Sequence, residues 1–173
     1  MERIELGDDC VDGVVCRYAY MLAADPVAAF AETRRVLRPG GRVTLAVWGA
    51  LERNPIFSAV GMSLVRASHM PPPDPGAPGP FSLNDPERVR GLLAGAGFAE
   101  VRTEEVGVTF AFRDIGECVT IIADTSGPMG LVLQGLSDVE RALVAGSLEA
   151  SFAPFRTGAG YEVPGVTVVA VAG

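Results

Sequence analysis

The chain has 173 residues, a length typical of one globular domain, and its 49% hydrophobic and 20% charged residues predict a packed core rather than disorder. The formal net charge of −7 argues against a nucleic-acid partner and against docking on an anionic membrane, because both need a basic face. The sequence contains no lysine, which excludes Schiff-base chemistry.

The cysteines are Cys10, Cys16 and Cys118. Their odd number argues against a disulfide framework, and the lack of paired C-x-x-C spacing argues against a zinc site. The N-terminus is acidic without an apolar signal core, and no apolar run approaches the roughly 20 residues that span a bilayer. We therefore expect reduced thiols, no metal site, no membrane partner and a cytoplasmic location.

The first half of the sequence predicts a strand, a helix and a second strand. The run Val14-Val15-Cys16 predicts a buried strand. Asp25 and Pro26 are a favoured N-cap and first helical residue, and Pro39-Gly40-Gly41 predicts the end of that helix and a turn. Residues 42–49, RVTLAVWG, are apolar on both faces, which is typical of a strand in a sheet covered by helices on each side.

Two helices and a loop are predicted next. Asn54 followed by proline predicts the start of a helix over residues 54–67. The proline-rich residues 71–80 predict a stiff surface loop. The pair Asp85-Pro86 repeats the earlier helix start, and Gly97 is the expected C-terminal glycine of that helix.

The last third predicts two strands around two helices. Residues 99–112 predict a strand that is bent or broken near Gly107. A short helix is predicted over residues 114–123, and a second one opens with the capping box Ser137-x-x-Glu140. Residues 165–173 predict a final strand, so the expected order is β-α-β-α-α-β-α-α-β.

A family resemblance rests on three stretches: residues 4–22 (IELGDDCVDGVVCRYAYML), 25–49 (DPVAAFAETRRVLRPGGRVTLAVWG) and 84–102 (NDPERVRGLLAGAGFAEVR). Together they resemble the C-terminal part of a class I S-adenosylmethionine-dependent methyltransferase, closest to the small-molecule group called type 11. The resemblance implies an α/β fold, namely a partial doubly wound, Rossmann-like sheet of strands four to seven with helices on both faces. It implies one partial domain over 1–173, with a small helical cap inserted at 112–155.

The family has a Gly-rich G-x-G-x-G loop after its first strand and a carboxylate at the end of its second strand. Neither element is found in this sequence, and Gly40-Gly41 precedes its strand instead of following one. The resemblance therefore implies a truncated methyltransferase acting on an unknown small molecule, inactive as an isolated chain. The alternative is a non-catalytic remnant that acts as a dimeric or small-molecule-binding module. Whether the chain is an enzyme stays open at this point.

The resemblance also implies a cofactor, a set of cofactor contacts and a partner. The cofactor is S-adenosyl-L-methionine, and Cys16, Arg17 and Tyr18 follow strand four, where the family binds the methionine part of that cofactor. Asp8, in the loop before this strand, is a candidate contact for adenine or ribose, and turn formation is its structural alternative. Without the first three strands, strand four is an exposed sheet edge, which predicts a homodimer formed by strand pairing.

The substrate side of the resemblance follows strand five. Trp48 and Asn54 would face the substrate there, although a tryptophan at a strand end is also a common lid on a core. His69 is the one candidate imidazole base, and its position beside a proline-rich loop favours an exposed spectator. No catalytic residue is predicted, because methyl transfer mainly needs the nucleophile held in line with an already activated methyl group. Four phenylalanines in or beside the expected cap could line an apolar cavity or simply pack: Phe110, Phe112, Phe152 and Phe155.

Overall fold

The computed structural model describes residues 1–72, 74 and 77–173. The described part of the proline-rich loop is neither helix nor strand, as predicted; Pro73, Pro75 and Gly76 lie outside the described residues. The chain divides into two compact units. The first unit comprises Met1–Arg53, Asp74–Gly107 and Val166–Gly173, and the second comprises Asn54–Pro73 and Val108–Gly165.

The predicted fold class is confirmed: a mixed α/β fold with helices flanking a sheet. The helices are α1 (Pro26–Val36), α2 (Pro55–Arg66), α3 (Pro86–Gly95), α4 (Ile115–Thr125), α5 (Gly127–Gly135) and α6 (Asp138–Phe152), and the strands are β1 (Val11–Arg17), β2 (Leu37–Trp48), β3 (Val101–Phe112), β4 (Arg156–Thr157) and β5 (Gly160–Ala172). The strand order is β1-β2-β5-β3, with β4 paired to β5. β1 lies parallel to β2, and β5 lies antiparallel to β2.

The connection from α1 to β2 follows from its sequence. The Asp25 side chain accepts a hydrogen bond from the backbone N–H of Ala28, and Pro26 occupies the first turn, so α1 begins as predicted. α1 ends at Val36, before the proline. β2 is longer than predicted, because the Pro39–Gly41 segment lies inside it as an irregularity in the pairing with β1. Gly40 there has φ 78°, a conformation that favours glycine.

The core of the first unit lies on one face of the sheet. Because paired residues share a face and neighbours alternate, one set of β2 and β5 side chains packs against Phe30 of α1 and Leu93 of α3. We call this the covered face; its residues are Val43, Leu45, Val47, Val168, Ala170 and Ala172, all buried. The open face is formed by the alternate residues and by Val15 of β1: Val15, Thr44, Ala46, Trp48, Thr167, Val169 and Val171.

The structure of residues 101–172 departs from the sequence prediction at three points. β3 runs unbroken through Gly107, because the glycine keeps strand geometry with no atom near its missing Cβ, so the predicted break is wrong. α5 was not predicted, since its glycines mask a helix whose Leu133 is buried. The short strand β4 was also missed; it pairs with the start of β5. The predicted capping box of Ser137 and Glu140 is present at the start of α6.

Candidate functional site

The candidate site lies at the carboxyl ends of β1 and β2. These strands are parallel and end at Arg17 and Trp48, so the residues that follow them lie at the same edge of the sheet. In open α/β sheets, ligands bind outside the carboxyl ends of the strands. The fold alone therefore makes this edge of the sheet the expected position of a ligand site.

Four side chains meet at this edge. The rings of Tyr18 and Trp48 are stacked, with centroids 4.2 Å apart and planes 14° apart. The Tyr18 hydroxyl and the Thr167 Oγ1 are hydrogen-bonded at 2.8 Å. The guanidinium carbon of Arg17 lies 5.6 Å from the centroid of the Tyr18 ring, within the range of a cation–π contact. We call Arg17, Tyr18, Trp48 and Thr167 the strand-end group.

The backbone of Tyr18 is strained. Its φ is 56°, in the left-handed region that bulky residues rarely adopt, and such a conformation costs about 1–3 kcal/mol. The Tyr18 N–H donates to the Ala46 carbonyl at 2.8 Å, and the stack and the hydroxyl hydrogen bond hold the side chain. Strain of this kind clusters at functional sites, so this outlier makes the strand end a candidate site.

Cys16 directly precedes the strand-end group but points toward the core. Its side chain packs against the hydrophobic cluster of the first unit. Burial raises the pKa of the Cys16 thiol, and hydrogen bonds from the backbone of Tyr20 and Ala19 only partly oppose that rise. Cys16 is therefore mainly a thiol at neutral pH, which makes it a poor nucleophile. Its position fits a lining residue rather than a reactive one.

Asp8 is not brought to the strand-end group. It precedes β1, so it lies at the amino end of that strand, and its Oδ1 accepts a hydrogen bond from Nη1 of Arg35 at 2.6 Å. Arg35 also donates to the backbone carbonyls of Ile4 and Leu6 and to the Glu32 carboxylate. Asp8 therefore helps to fasten the N-terminal segment to α1.

The other predicted residues lie in the second unit. Asn54 is fully buried at the start of α2. Its Oδ1 lies close to Gly165: a Cβ added to that glycine would be 2.9 Å from it. His69 has its Nε2 3.8 Å from Oε1 of Glu140. The phenylalanines at this end of the chain pack against aromatic rings: Phe110 on Phe57, and Phe112 on Phe152 and Tyr161.

Sequence reasoning missed Thr167. The residue lies in the final strand, six positions before the predicted end of that strand, and nothing local marks it. The signal that places Thr167 at the site is the antiparallel register of β2 and β5, which sets it directly opposite Trp48. Within the described ranges, no cluster of His, Cys, Asp and Glu suits a metal ion, and no helix has the length and apolarity that a membrane crossing needs.

Comparison with known proteins identifies the fold. Residues 1–45 match the family model described as a methyltransferase domain. The chain has the class I methyltransferase fold. A candidate methyltransferase of Bacillus halodurans C-125 is 18% identical, with a TM-score of 0.57 over 99% of this chain and 73% of that one. The YcgJ protein of Bacillus subtilis is 17% identical, with a TM-score of 0.53 over 99% of this chain and 67% of that one.

A further solved structure gives a ligand for a more distant relative. Phosphoethanolamine N-methyltransferase 2 of Haemonchus contortus, in complex with phosphomonomethylethanolamine and S-adenosylhomocysteine, is 15% identical with a TM-score of 0.47. The match covers 97% of this chain and 34% of that one. A search of curated proteins finds no match to this sequence.

Proposed function

We propose that this chain is part of an S-adenosyl-L-methionine-dependent methyltransferase that acts on a small molecule. The observation that carries the proposal is the strained Tyr18, stacked on Trp48 at the carboxyl ends of two parallel strands. This edge is where ligands bind in doubly wound sheets, and the match of residues 1–45 includes β1, Tyr18 and the start of β2.

The chemistry of the strand-end group fits one part of S-adenosyl-L-methionine. The Arg17 guanidinium suits the methionine carboxylate, and the aromatic faces of Tyr18 and Trp48 suit a sulfonium cation or an adenine ring. No carboxylate belongs to the group, so nothing in it suits the ribose hydroxyls. The strand-end group therefore fits as one wall of a cofactor site rather than as a complete site.

The residues divide into a cofactor side and a substrate side. Arg17 and Tyr18 would hold the methionine part of the cofactor, with Cys16 behind them. Trp48, at the end of β2, would face the substrate; Asn54, predicted with it, is fully buried at the start of α2 and is left out of the assignment. When bound, S-adenosyl-L-methionine supplies a methyl group on an activated sulfonium, so the protein's task is to orient the substrate and exclude water. Asp8 is left out of this assignment because Arg35 holds it at the amino end of β1.

The role assigned to the helical segment 112–155 is substrate binding. It contains α4, α5 and α6, and Phe112 and Phe152 from its two ends contact each other, with ring centroids 5.8 Å apart. We propose that this segment is a cap that selects the small molecule.

The three cysteines are free thiols, in keeping with a proposed cytoplasmic location.

The proposed activity requires cofactor binding, which calorimetry measures directly. We expect S-adenosylhomocysteine at millimolar concentration to release heat on titration into the chain, with no methyl transfer by the chain alone. The expected lack of turnover rests on the sequence, which has no G-x-G-x-G loop. The absence of both released heat and a thermal shift at millimolar ligand would contradict the proposal.

Substitution of Arg17 tests the assigned wall. Arg17→Gln removes the charge expected to pair with the methionine carboxylate, and we expect roughly tenfold weaker binding, in line with about 1.5–3 kcal/mol for a charged hydrogen bond in a partly exposed setting. Arg42→Gln is the matched control, because Arg42 is an exposed arginine near the amino end of the paired part of β2. Equal affinities for the two variants would remove Arg17 from the site.

The second candidate function is a non-catalytic module that forms a homodimer. It is favoured by the position of β1 at the edge of the sheet, where its outer hydrogen-bonding groups can accept another strand. We propose that in this module a second copy of the chain covers this edge. Sedimentation velocity measures the assembly; a monomer at high protein concentration would contradict it.

A further inference from the structure

Two hydrogen bonds in the first unit join a tyrosine hydroxyl to a threonine hydroxyl. One joins Tyr20 to Thr33 in the core, with 2.6 Å between the oxygens. The other joins Tyr18 to Thr167 at the strand ends, with 2.8 Å between the oxygens. Each pair has two hydroxyl hydrogens, and the bond between its oxygens uses only one of them. The second hydrogen therefore decides what each pair can bind.

The pair in the core uses both of its hydrogens. Thr33 Oγ1 donates to the Ala29 carbonyl at 2.8 Å, so the Tyr20 hydroxyl is the donor in the bond between Tyr20 and Thr33. Both side chains are buried, and buried polar groups are almost always hydrogen-bonded. This pair leaves no hydrogen for a ligand.

The pair at the strand ends has one hydrogen to spare. In the part of the chain that the structure describes, neither the Tyr18 nor the Thr167 hydroxyl has a second hydrogen-bond partner. Thr167 is only 4% exposed, whereas Tyr18 is half-buried. A buried donor without an acceptor is more costly than an exposed one, which water can satisfy. The Thr167 hydroxyl therefore donates to the Tyr18 oxygen, and the Tyr18 O–H stays available.

Thr167 also helps to fix the position of the Tyr18 ring. β2 lies between β1 and β5, so the side chain of Tyr18 extends from the end of β1, past β2, to Thr167 in β5. Thr167 lies directly opposite Trp48, on which the Tyr18 ring is stacked. Because the φ of Tyr18 is 56°, the backbone alone does not favour this position. The stack and the hydroxyl hydrogen bond therefore determine where the phenol lies.

We infer that Thr167 is a positioning residue of the strand-end group, whose hydroxyl donates to the Tyr18 oxygen and leaves the Tyr18 O–H to bind the ligand; the inference rests on the proposed function, in which Arg17 binds the methionine carboxylate. Arg17 directly precedes Tyr18, and its guanidinium carbon lies 5.6 Å from the centroid of the Tyr18 ring. A carboxylate only accepts hydrogen bonds, so a neighbouring cation and O–H donor suit it together. Tyr18 thus becomes a second donor to the carboxylate.

Ligand affinity tests the role of Thr167. Calorimetric titration with S-adenosylhomocysteine, which keeps the methionine carboxylate, gives the dissociation constant of each variant. Tyr18→Phe removes the proposed donor and keeps the ring, and we expect roughly tenfold weaker binding, as for a lost hydrogen bond to a charged group. Thr167→Val releases the phenol but leaves its hydroxyl, and we expect about threefold weaker binding, as for a neutral hydrogen bond. Thr167→Ser keeps the hydroxyl and should bind like the wild type.

Thr33→Val is the matched control. It makes the same substitution in the other tyrosine–threonine pair and breaks a hydrogen bond of the same kind in the core. We expect it to lower stability without changing the dissociation constant, and circular dichroism confirms that each variant folds. An unchanged dissociation constant in either Tyr18→Phe or Thr167→Val overturns the inference. Equal weakening in Thr33→Val and Thr167→Val also overturns it, because the effect would then be one of stability alone.

Proton NMR of the wild type tests the direction of the hydrogen bond without a ligand. A hydroxyl hydrogen that is buried and hydrogen-bonded exchanges slowly with water and gives a resonance of its own. We expect such a resonance coupled to the Thr167 Hβ and absent from Thr167→Val. A slowly exchanging hydroxyl on Tyr18 instead, or no hydroxyl resonance from Thr167, overturns the inference.

The two measurements separate the possible failures. If S-adenosylhomocysteine binds the wild type and the Tyr18 and Thr167 variants equally well, the role of Thr167 is wrong and the proposed function stands. If the wild type does not bind S-adenosylhomocysteine, the proposed function is wrong, and the NMR resonance still decides which hydroxyl is the donor.

Discussion

The two faces of the sheet in the first unit differ sharply, although the sequence of β2 is nearly as apolar on one as on the other. On the covered face, Val43, Leu45 and Val47 are essentially inaccessible and pack beneath α1 and α3. On the open face, Thr44, Ala46 and Trp48 are only half-buried, and Val15 is 86% accessible. The covered face holds the unit together, and the open face carries the strand-end group.

This difference separates two kinds of apolar residue that a sequence pattern treats alike. A valine on the covered face contributes burial to stability, whereas Val15 gains nothing until something packs on it. The same reasoning explains why Tyr18 tolerates its strained backbone: its ring and hydroxyl are fixed by Trp48 and Thr167, which belong to the open face.

The largest effect expected from this comparison is on stability. Leu45→Ala removes a fully buried side chain from the covered face, and we expect a loss of about 2–5 kcal/mol in the free energy of unfolding. Val15→Ala on the open face is the matched control, expected to change it by no more than about 0.5 kcal/mol, measured at a protein concentration where the chain is monomeric. Urea unfolding measures both; similar losses would mean that the faces do not differ.

A smaller effect is expected at the strand-end group. Tyr18→Phe and Thr167→Val each remove one side of the hydrogen bond between the two hydroxyls, and we expect each to cost about 1 kcal/mol. The double variant should cost little more than either single one, because both substitutions break the same bond. Fully additive losses in urea unfolding would show that the bond does not hold Tyr18 in place.

The smallest expected effect is on the pH dependence of stability, through Glu32 of α1, which helps to hold the N-terminal segment. Hydrogen bonds from Arg35, and then from the Ile4 backbone N–H, lower the pKa of Glu32 from 4.5 to about 2. A lowered pKa in the folded state means that this contribution is complete above pH 4.5 and is lost as the pH falls toward 2. We expect Glu32→Gln to weaken the pH dependence of the Tm between pH 4.5 and 2. An unchanged slope would show that Glu32 does not stabilise the fold through ionisation.

Local signals in the sequence predicted the fold well where capping and periodicity agree. Asp25-Pro26, Asp85-Pro86 and the Ser137–Glu140 box each start a helix in the structure. The failures have physical causes: α5 begins and ends with glycine, and Gly107 has the room to stay in a regular strand.

The candidate site was only half accessible to sequence reasoning. Arg17, Tyr18 and Trp48 could be named because they end predicted strands. Thr167 could not, because its contact with Tyr18 spans 149 positions and depends on the register of β2 and β5. Asp8 was predicted as a cofactor contact from its place in the loop before β1, and only the structure shows its pairing with Arg35, which no local sequence pattern indicates.

Intrinsic fluorescence gives the most direct test of the claim that the strand ends form the functional site. Trp48 is the only tryptophan, and it lies within the strand-end group, so its emission reports on that edge alone. We predict a saturable change in Trp48 emission on titration with S-adenosylhomocysteine, shifted to higher ligand concentration by Arg17→Gln. Calorimetric binding of the same ligand with Trp48 emission unchanged would contradict the account.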